Sequence, residues 1–248
     1  MMELELDAIS LRRGNRVVLG PVSLRMAAGE FVGLIGPNGA GKTTLMRAAL
    51  GLIRPSAGRS NLGALPPARR ALAAAWLPQT REAAWPVSLV TLVRLGRTPH
   101  GHSPAGTAAV ADAIRRMGLE HLQDRRVTEL SGGELARALI ARALVQDTPL
   151  LLADEPIAGL DPAAQIGAMR TFRNLADEGR SVIASIHDLG LAARHCTRLV
   201  MLEHGRIAAD GPPAQVLRPD LVARVFGIRG EFAQTSNGPV FLPLDITG

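Results

Sequence analysis

The sequence predicts an α/β fold built on a central sheet of mainly parallel strands. Two continuous apolar runs, Phe31–Ile35 and Leu150–Ala153, have the composition of strands that are buried on both faces. Helical patterns follow them over residues 42–50 and 162–178. A third predicted strand, residues 181–186, resumes the core after the second helix. Strands that alternate with helices in this way predict a doubly wound sheet.

The sequence patterns around this core are shorter, but they still predict individual strands. Apolar residues alternate with acids over residues 4–9, a turn signal follows at 13–16, and residues 17–26 return as a second strand. This pattern predicts an N-terminal antiparallel β-subdomain. A short strand ends at Trp76-Leu77-Pro78, just before Gln79. Residues 199–202 and 207–210 predict a hairpin around His204-Gly205.

The middle and the end of the chain differ from the core in composition. Val110, Ile114, Met117 and Leu119 follow a helical period, and the Pro- and Gly-rich residues 97–106 predict a connector. These residues predict a helical subdomain inserted into the core. The C-terminal residues predict a loose strand pair. The expected division is a core of residues 1–84 and 149–228, a helical lobe of about 85–148, and an extension of 229–248.

Composition limits the classes of function. The 248 residues carry a net charge of +6, and only 3% of them are aromatic. Scattered arginines with few aromatic residues make nucleic acid an unexpected partner. The N-terminus lacks the pattern of a signal peptide, and no apolar stretch reaches the roughly 18 residues of a membrane span. If the protein acts at a membrane, other chains are expected to cross it.

Two features that invite a chemical interpretation are expected to be structural. The single cysteine, Cys196, follows His195, but adjacent residues on a helix point apart, so we expect a packed cysteine rather than a thiolate–imidazole pair. His100 and His102 lack a third ligand nearby and are expected to be solvent-facing loop residues rather than a metal site.

A phosphate-binding loop follows the first buried strand. Strand, GxxxxGK[ST] and helix together form the Walker A arrangement, which predicts a P-loop NTPase with a RecA-like core. Its glycines let successive backbone N–H groups point inward at the phosphates of ATP or GTP, with the lysine on their oxygens and the first threonine on Mg²⁺. The loop comprises Gly36, Pro37, Asn38, Gly39, Ala40, Gly41, Lys42, Thr43 and Thr44.

Two acids follow the second buried strand. Asp154 and Glu155 come directly after Leu150–Ala153, at the end of a strand where α/β sheets bind ligands. Asp154 is therefore predicted to hold Mg²⁺ through water, with Thr43 as its neighbour. Glu155 is one position further and is predicted to act as general base on the attacking water.

A helix start lies between these two motifs. Ser131 and Glu134 have the spacing of a capping box, which alone indicates only a well-formed helix N-terminus. The full string Leu130-Ser131-Gly132-Gly133-Glu134, however, resembles the signature of ATP-binding-cassette (ABC) ATPases. Gln79, His187 and residues 157–161 occur in that family's order, and the resemblance covers residues 3–228.

The resemblance implies roles that the residues alone do not reveal. It implies a head-to-tail homodimer in which ATP lies between Walker A of one copy and Ser131, Gly132 and Gly133 of the other. Gln79 is then expected to contact Mg²⁺ or the attacking water. His187, which without the family is simply a polar residue after a strand, is expected to contact the γ-phosphate. Asp161 is expected to cross the dimer interface.

The sequence departs from the family pattern at two positions. Arg13 stands where the family usually has an aromatic residue that stacks on adenine. A guanidinium can also stack on a purine, so Arg13 is expected at the base. Ala158 stands where a serine is common, which removes a hydroxyl near the expected interface.

The transported solute is suggested by a second resemblance. The string LGRTPH at residues 95–100, and the tail at 217–228, are similar to ATPases of importers for iron–siderophore complexes, haem and cobalamin. The expected partners are an integral membrane permease and, indirectly, an exported solute-binding protein. The expected location is the cytoplasmic face of the membrane.

Other classes stay open at this point. A P-loop kinase would use Lys42 and Asp154 in a similar way, but it has no need of the LSGGE string. An ABC transporter ATPase for an unrelated solute remains open. So does a non-transport ABC ATPase acting in DNA repair, on ribosomes or in assembly, although the sequence has neither heptads nor a second phosphate loop.

Overall fold

The computed structural model describes residues 4–80, 85–101 and 105–247. Within them the helices and strands follow the order below, given with their bounds. They are β1 (Leu4–Arg13), β2 (Arg16–Met26), β3 (Phe31–Ile35), α1 (Lys42–Ala49), β4 (Ala57–Ser60), α2 (Pro67–Ala73), β5 (Ala74–Leu77), α3 (Leu89–Arg94), α4 (Ala105–Arg116), α5 (Gly132–Leu144), β6 (Leu150–Ala153), α6 (Pro162–Asp177), β7 (Ser181–Ser185), α7 (Leu189–His195), β8 (Arg198–Glu203), β9 (Arg206–Gly211), α8 (Pro213–Val216), α9 (Pro219–Phe226), β10 (Ile228–Thr235) and β11 (Gly238–Ile246).

The described chain contains a six-stranded central sheet with the strand order β5-β6-β7-β3-β8-β9. The first five strands run parallel, and β9 is antiparallel to β8. Every residue of β3, β6 and β7 is buried, as expected where helices or a second sheet cover both faces. The predicted parallel α/β core is therefore confirmed.

The two faces of this sheet pack into separate hydrophobic clusters. Along β3, Phe31 and Ile35 belong to one cluster, whereas Val32 and Leu34 belong to the other, because side chains alternate along a strand. On the first face Phe31 packs edge-on against Phe172 of α6, with ring centroids 6.0 Å apart. The burial of such a side chain contributes about 1.5–3 kcal/mol, and it holds α6 against the strands that carry the site.

The predicted N-terminal antiparallel subdomain is present as a three-stranded sheet. β1 pairs antiparallel with β2, and Leu6 lies opposite Leu24. β4 pairs on the other side of β1. The strand β4 was not predicted, because its four residues are mostly exposed and show no apolar alternation. This sheet covers the second face of the central sheet together with α1.

The prediction of a connector at residues 97–106 is wrong in part. Residues Leu95–His100 form a 3₁₀ helix that contains Pro99, and α4 begins at Ala105. Residues 102–104, which include His102, lie outside the described part of the chain. Gly and Pro are typical of loops, but here Gly96 is buried so closely that a Cβ would overlap the carbonyl oxygen of Arg142 in α5.

The same 3₁₀ helix is attached to the end of α5 by two side chains. Arg97 Nη1 donates to the carbonyl oxygen of Val145 at 3.3 Å, and His100 Nε2 lies 2.6 Å from the carbonyl oxygen of Gln146. His100 is half-buried, so the prediction of a solvent-facing loop histidine is wrong. The last carbonyl groups of a helix lack intrahelical partners, and the LGRTPH string supplies partners just beyond the end of α5.

The C-terminal residues form the predicted strand pair. β10 and β11 are antiparallel, with Phe232 opposite Phe241. The pair is not loose, because Phe241 is buried in the main hydrophobic cluster. β11 exposes large apolar side chains at alternate positions, namely Val240, Leu242, Leu244 and Ile246. In the described residues, no helix combines the length and the hydropathy needed to cross a bilayer.

Candidate nucleotide-binding site

The phosphate loop lies at the carboxyl end of β3 and leads into α1. Gly36, Gly39 and Gly41 have φ values of 144°, 78° and 104°. At Gly36 a Cβ would overlap the carbonyl oxygen of Leu202, so this position requires glycine for space as well as for its dihedral angle. Alternating left- and right-handed residues turn consecutive amides toward one point, which forms an anion-binding concavity.

Lys42 begins α1 and is buried under this loop. Its Nζ donates to the carbonyl oxygens of Gly36 at 2.6 Å and Pro37 at 3.1 Å. Burial lowers the pKa of Lys42, and the nearby carboxylates of Glu155 and Asp154 oppose that shift. The cation is thus held at the phosphate loop by the loop itself.

Asp154 follows β6 and is almost completely buried. Its Oδ1 accepts hydrogen bonds from Thr43 Oγ1 at 3.0 Å and Ser185 Oγ at 2.8 Å. Its Oδ2 is buried and has no hydrogen-bond partner among the described residues. A buried carboxylate oxygen without a partner, next to a threonine hydroxyl, has the oxygen ligands that Mg²⁺ prefers. Asp154 and Thr43 therefore fit the metal site that the sequence predicted.

Three residues predicted to be catalytic lie together beside this carboxylate. Glu155 Oε2 accepts a hydrogen bond from Gln79 Nε2 at 2.9 Å, and Glu155 Oε1 lies 2.8 Å from His187 Nε2. Gln79 follows β5 by two residues, Glu155 follows β6 by two, and His187 follows β7 by two. Because these strands are neighbours and parallel, their ends meet at one edge of the sheet.

A cleft of about 590 Å³ opens over the phosphate loop. Arg13 lines this cleft, as predicted, and so do Gln79 and Glu155. Sequence reasoning missed further lining residues, namely Arg16, Val17, Val18 and His204. They come from the start of β2 and from the β8–β9 turn, which only the folded chain brings to the loop: Gly205 N donates to Ala40 O at 3.0 Å.

The predicted signature residues lie outside this cleft in a single chain. Ser131 caps α5: its Oγ accepts from Glu134 N at 3.3 Å, and Glu134 Oε2 accepts from Ser131 N at 2.7 Å. These hydrogen bonds hold the pKa of Glu134 below its usual range. Ser131 and Gly132 are exposed, and neither they nor Gly133 line the cleft of the phosphate loop. The amides of the first helical turn have no intrahelical partners, so this surface can accept an anion from outside.

Asp161 is likewise separated from the phosphate loop. It is exposed and caps α6, where its Oδ1 accepts from Ala164 N at 3.0 Å. It lines a different cavity, which it shares with Arg137 of α5. Within one chain the structure thus brings together Walker A, the two acids, Gln79, His187 and Arg13, but not the signature residues or Asp161.

The chain is similar in sequence to known proteins. A family model described as ABC transporter matches residues 19–158, more than half of the chain. Hemin import ATP-binding protein HmuV of Nocardia farcinica is 42% identical over 87% of this chain and 79% of that protein. Cobalamin import ATP-binding protein BtuD of Halobacterium salinarum is 40% identical over 92% of this chain and 60% of that protein.

A solved structure agrees in fold. A chain described as an inward-facing conformation of a metal-chelate type ABC transporter superposes with a TM-score of 0.83, at 23% identity over 97% of both chains. The fold and the phosphate loop define a P-loop nucleotide-binding protein. The chain belongs to the ABC transporter family, and it is an ATPase of that family.

Cys196 is the packed residue that the sequence predicted. It is buried, and an added Cβ on Gly33 of β3 would lie 2.8 Å from its Sγ. Burial raises the pKa of the Cys196 thiol. Burial also lowers the pKa of the adjacent His195, with a smaller contribution from neighbouring arginines. Both shifts disfavour a thiolate–imidazolium pair.

We expect the single cysteine to resist thiol reagents in the native protein. Because the thiolate is the reactive form and burial disfavours it, iodoacetamide at neutral pH should modify native Cys196 more than about tenfold more slowly than the guanidinium-unfolded chain. Intact mass spectrometry over a time course gives both rates. Comparable rates for the folded and unfolded chains would contradict the packing of this residue.

Proposed function

We propose that two copies of this chain bind and hydrolyse ATP as a head-to-tail homodimer that drives a separate membrane permease. The observation that carries this proposal is the division of the site. The phosphate loop and Glu155 share one cleft, whereas Ser131, Gly132 and Gly133 lie outside it on an exposed helix start. One chain therefore holds both halves of a nucleotide site, but in positions that only a partner copy can complete.

Phosphate binding is assigned to the loop and its lysine. The free backbone amides of the phosphate loop and the Lys42 ammonium would hold the β- and γ-phosphates of ATP. Thr43, Asp154 and Gln79 would hold Mg²⁺. When bound, this ion would neutralise negative charge on the phosphate. Arg13 lies in the same cleft as the loop and would stack on the base.

Hydrolysis is assigned to Glu155 and the two residues that contact it. Its carboxylate would accept a proton from the attacking water as the oxygen of that water bonds to the γ-phosphorus. The bond from the γ-phosphorus to the β–γ bridging oxygen would break in the same step, and ADP would be the leaving group. Gln79 and His187 each contact one carboxylate oxygen, at 2.9 and 2.8 Å, so the side chain is restrained from both sides. His187 would also contact the γ-phosphate.

The partner copy would complete the site through two exposed helix starts. Gly132 and Gly133 would present their backbone amides, Ser131 its hydroxyl, and α5 its positive end to the γ-phosphate bound by the other copy. Asp161, at the start of α6, would contact the partner across the interface. The two copies would close on ATP and separate after hydrolysis, and these two changes would form the transport cycle.

Coupling to a permease is assigned to the helical lobe and to the adjacent helix α2 of the core. Leu72 of α2 and Leu95 of the Leu95–His100 helix are large apolar side chains that are 44% and 42% exposed, and Trp85 is 68% exposed. Exposed apolar side chains on neighbouring elements are typical of a protein contact. We assign them to the surface that meets the permease at the cytoplasmic face of the membrane.

The cargo is assigned to haem, cobalamin or iron(III)–siderophore. Two relatives are named for hemin import and cobalamin import. The LGRTPH string adds the iron–siderophore group. An exported solute-binding protein would deliver the cargo to the permease on the opposite side of the membrane.

We expect Glu155→Gln to bind ATP but not turn it over. The amide keeps the size of the side chain and loses the base, so kcat should fall at least about 100-fold. With turnover blocked, the variant should become dimeric with MgATP in size-exclusion chromatography with light scattering. Glu231→Gln, on exposed β10, is the matched control and should behave as wild type. Normal turnover by Glu155→Gln would refute the assignment of the base.

The head-to-tail arrangement is tested by Ser131→Arg in the Glu155→Gln background. The bulky cation would block the partner's γ-phosphate site while leaving its own phosphate loop intact. We expect unchanged affinity for a fluorescent ATP analogue, but no ATP-dependent dimer. Thr107→Arg, on the exposed face of α4, adds the same charge and should still allow the dimer. A dimer that persists with Ser131→Arg would exclude this interface.

The cargo is tested by uptake. A host strain that lacks this chain should lose uptake of at least one of labelled haem, cobalamin and ferric siderophore, and the wild-type chain should restore it. Glu155→Gln, at equal expression, should fail to restore it because the cycle needs hydrolysis. Uptake of all three solutes that is unaffected by deletion would contradict the importer assignment.

A further inference from the structure

A buried serine ends the strand between the phosphate loop and the two acids. Ser185 is the last residue of β7, and its exposed fraction is 0%. The three residues before it are Val182, Ile183 and Ala184, all buried and apolar. A hydroxyl at such a position costs free energy unless it is hydrogen-bonded. Ser185 Oγ therefore requires partners, and the structure supplies two.

The first partner is the backbone of Glu155. Glu155 N donates to Ser185 Oγ at 2.7 Å. One residue earlier, Asp154 N still donates to the strand partner Leu77 at 2.8 Å, so the chain leaves the β5–β6 ladder at Glu155. Glu155 has a φ of 48°, in the left-handed region that residues other than glycine rarely adopt. The serine hydroxyl thus holds a strained peptide in the orientation that directs its side chain toward Gln79 and His187.

The second partner is the side chain of Asp154. Ser185 Oγ donates to Asp154 Oδ1 at 2.8 Å, and Thr43 Oγ1 donates to the same oxygen at 3.0 Å. With Oδ1 occupied by two donors, Oδ2 is the carboxylate oxygen left without a hydrogen-bond partner. The serine therefore fixes the rotation of the carboxylate and determines which oxygen is available to a cation.

One hydroxyl thus orients both acids. We propose that Ser185 is a positioning residue that sets the rotation of Asp154 for the divalent ion and the backbone direction of Glu155 for the attacking water. It acts through these two acids. This proposal rests on the function proposed above, because it assumes that Asp154 and Glu155 serve hydrolysis.

The chain offers a matched control on the same strand. Ser181 begins β7, is also buried, and its Oγ also donates a hydrogen bond, to Ala27 O at 3.1 Å. It lies at the opposite end of the strand from the site. Ser181→Ala and Ser185→Ala therefore remove the same group from equally buried positions, and they differ only in whether the acids lose their partner.

The test compares both variants with wild type in two measurements. The first is ATPase activity as a function of Mg²⁺ concentration. The second, independent of turnover, is Mn²⁺ binding followed by electron paramagnetic resonance in the presence of a non-hydrolysable ATP analogue. Removal of a group that orients a metal ligand typically costs 10–100-fold in metal affinity or activity. We expect Ser185→Ala to lower kcat and to weaken Mn²⁺ binding by about tenfold each.

The remaining variants separate positioning from stability. Affinity for the nucleotide measured in EDTA should stay at the wild-type value for Ser185→Ala, because the phosphate loop is untouched. Ser181→Ala should leave kcat and Mn²⁺ binding unchanged, even where its urea midpoint falls as far as that of Ser185→Ala. If Ser185→Ala does not fold, Ser185→Cys replaces it in both measurements: it keeps the volume, donates only weakly, and should show the same losses.

Several results would overturn the proposal. Wild-type kcat and Mn²⁺ affinity in Ser185→Ala or Ser185→Cys would do so, and equal losses in Ser181→Ala would assign the effect to strand stability. Failure of the proposed function is distinguishable, because it appears as absent Mg²⁺-dependent hydrolysis in wild type or as unchanged turnover in Glu155→Gln. If wild type and Glu155→Gln behave as expected and Ser185→Ala is normal, only the positioning role is lost.

Discussion

The parallel pairing of β5, β6, β7 and β3 is the constraint on which the site depends. Backbone hydrogen bonds fix the strands in register, for instance Ala153 opposite both Leu77 and Ala184. All four strands therefore end at one edge. The phosphate loop, the two acids, Gln79 and His187 therefore reach the same place from segments that are far apart in sequence.

This arrangement places charged side chains at the edge of an apolar core. Asp154 and Lys42 are both buried, and buried charged groups are stable only where partners replace water. Loop carbonyls serve the lysine, and two hydroxyls serve the aspartate. The apolar packing of Phe31 on Phe172 and of Cys196 behind Gly33 supports the strands that carry these polar groups. The same packing thus both fills the apolar core and supports the orientation of the polar groups.

Sequence reasoning recovered the elements whose signals are local. A few neighbouring residues are enough to predict the strand at Phe31–Ile35, the glycine loop after it and the capping box at Ser131. Ser185 was missed because a single serine in a strand has no local signal, and its partners are 30 and 31 residues away. Residues 97–106 were misread because composition cannot reveal that Arg97 and His100 contact the backbone that follows α5. The roles proposed for Ser131 and Asp161 involve a second copy, so the structure of one chain does not test them.

The attachment of the Leu95–His100 helix to the end of α5 has a mechanical consequence. Arg97 and His100 contact the two carbonyl groups that follow α5. Rotation of α5 about its own axis would therefore lengthen both hydrogen bonds. With 13 residues, α5 extends about 20 Å. A displacement of the Leu95–His100 helix would therefore also displace the end of α5, and a stiff helix of this length would shift Ser131 with it.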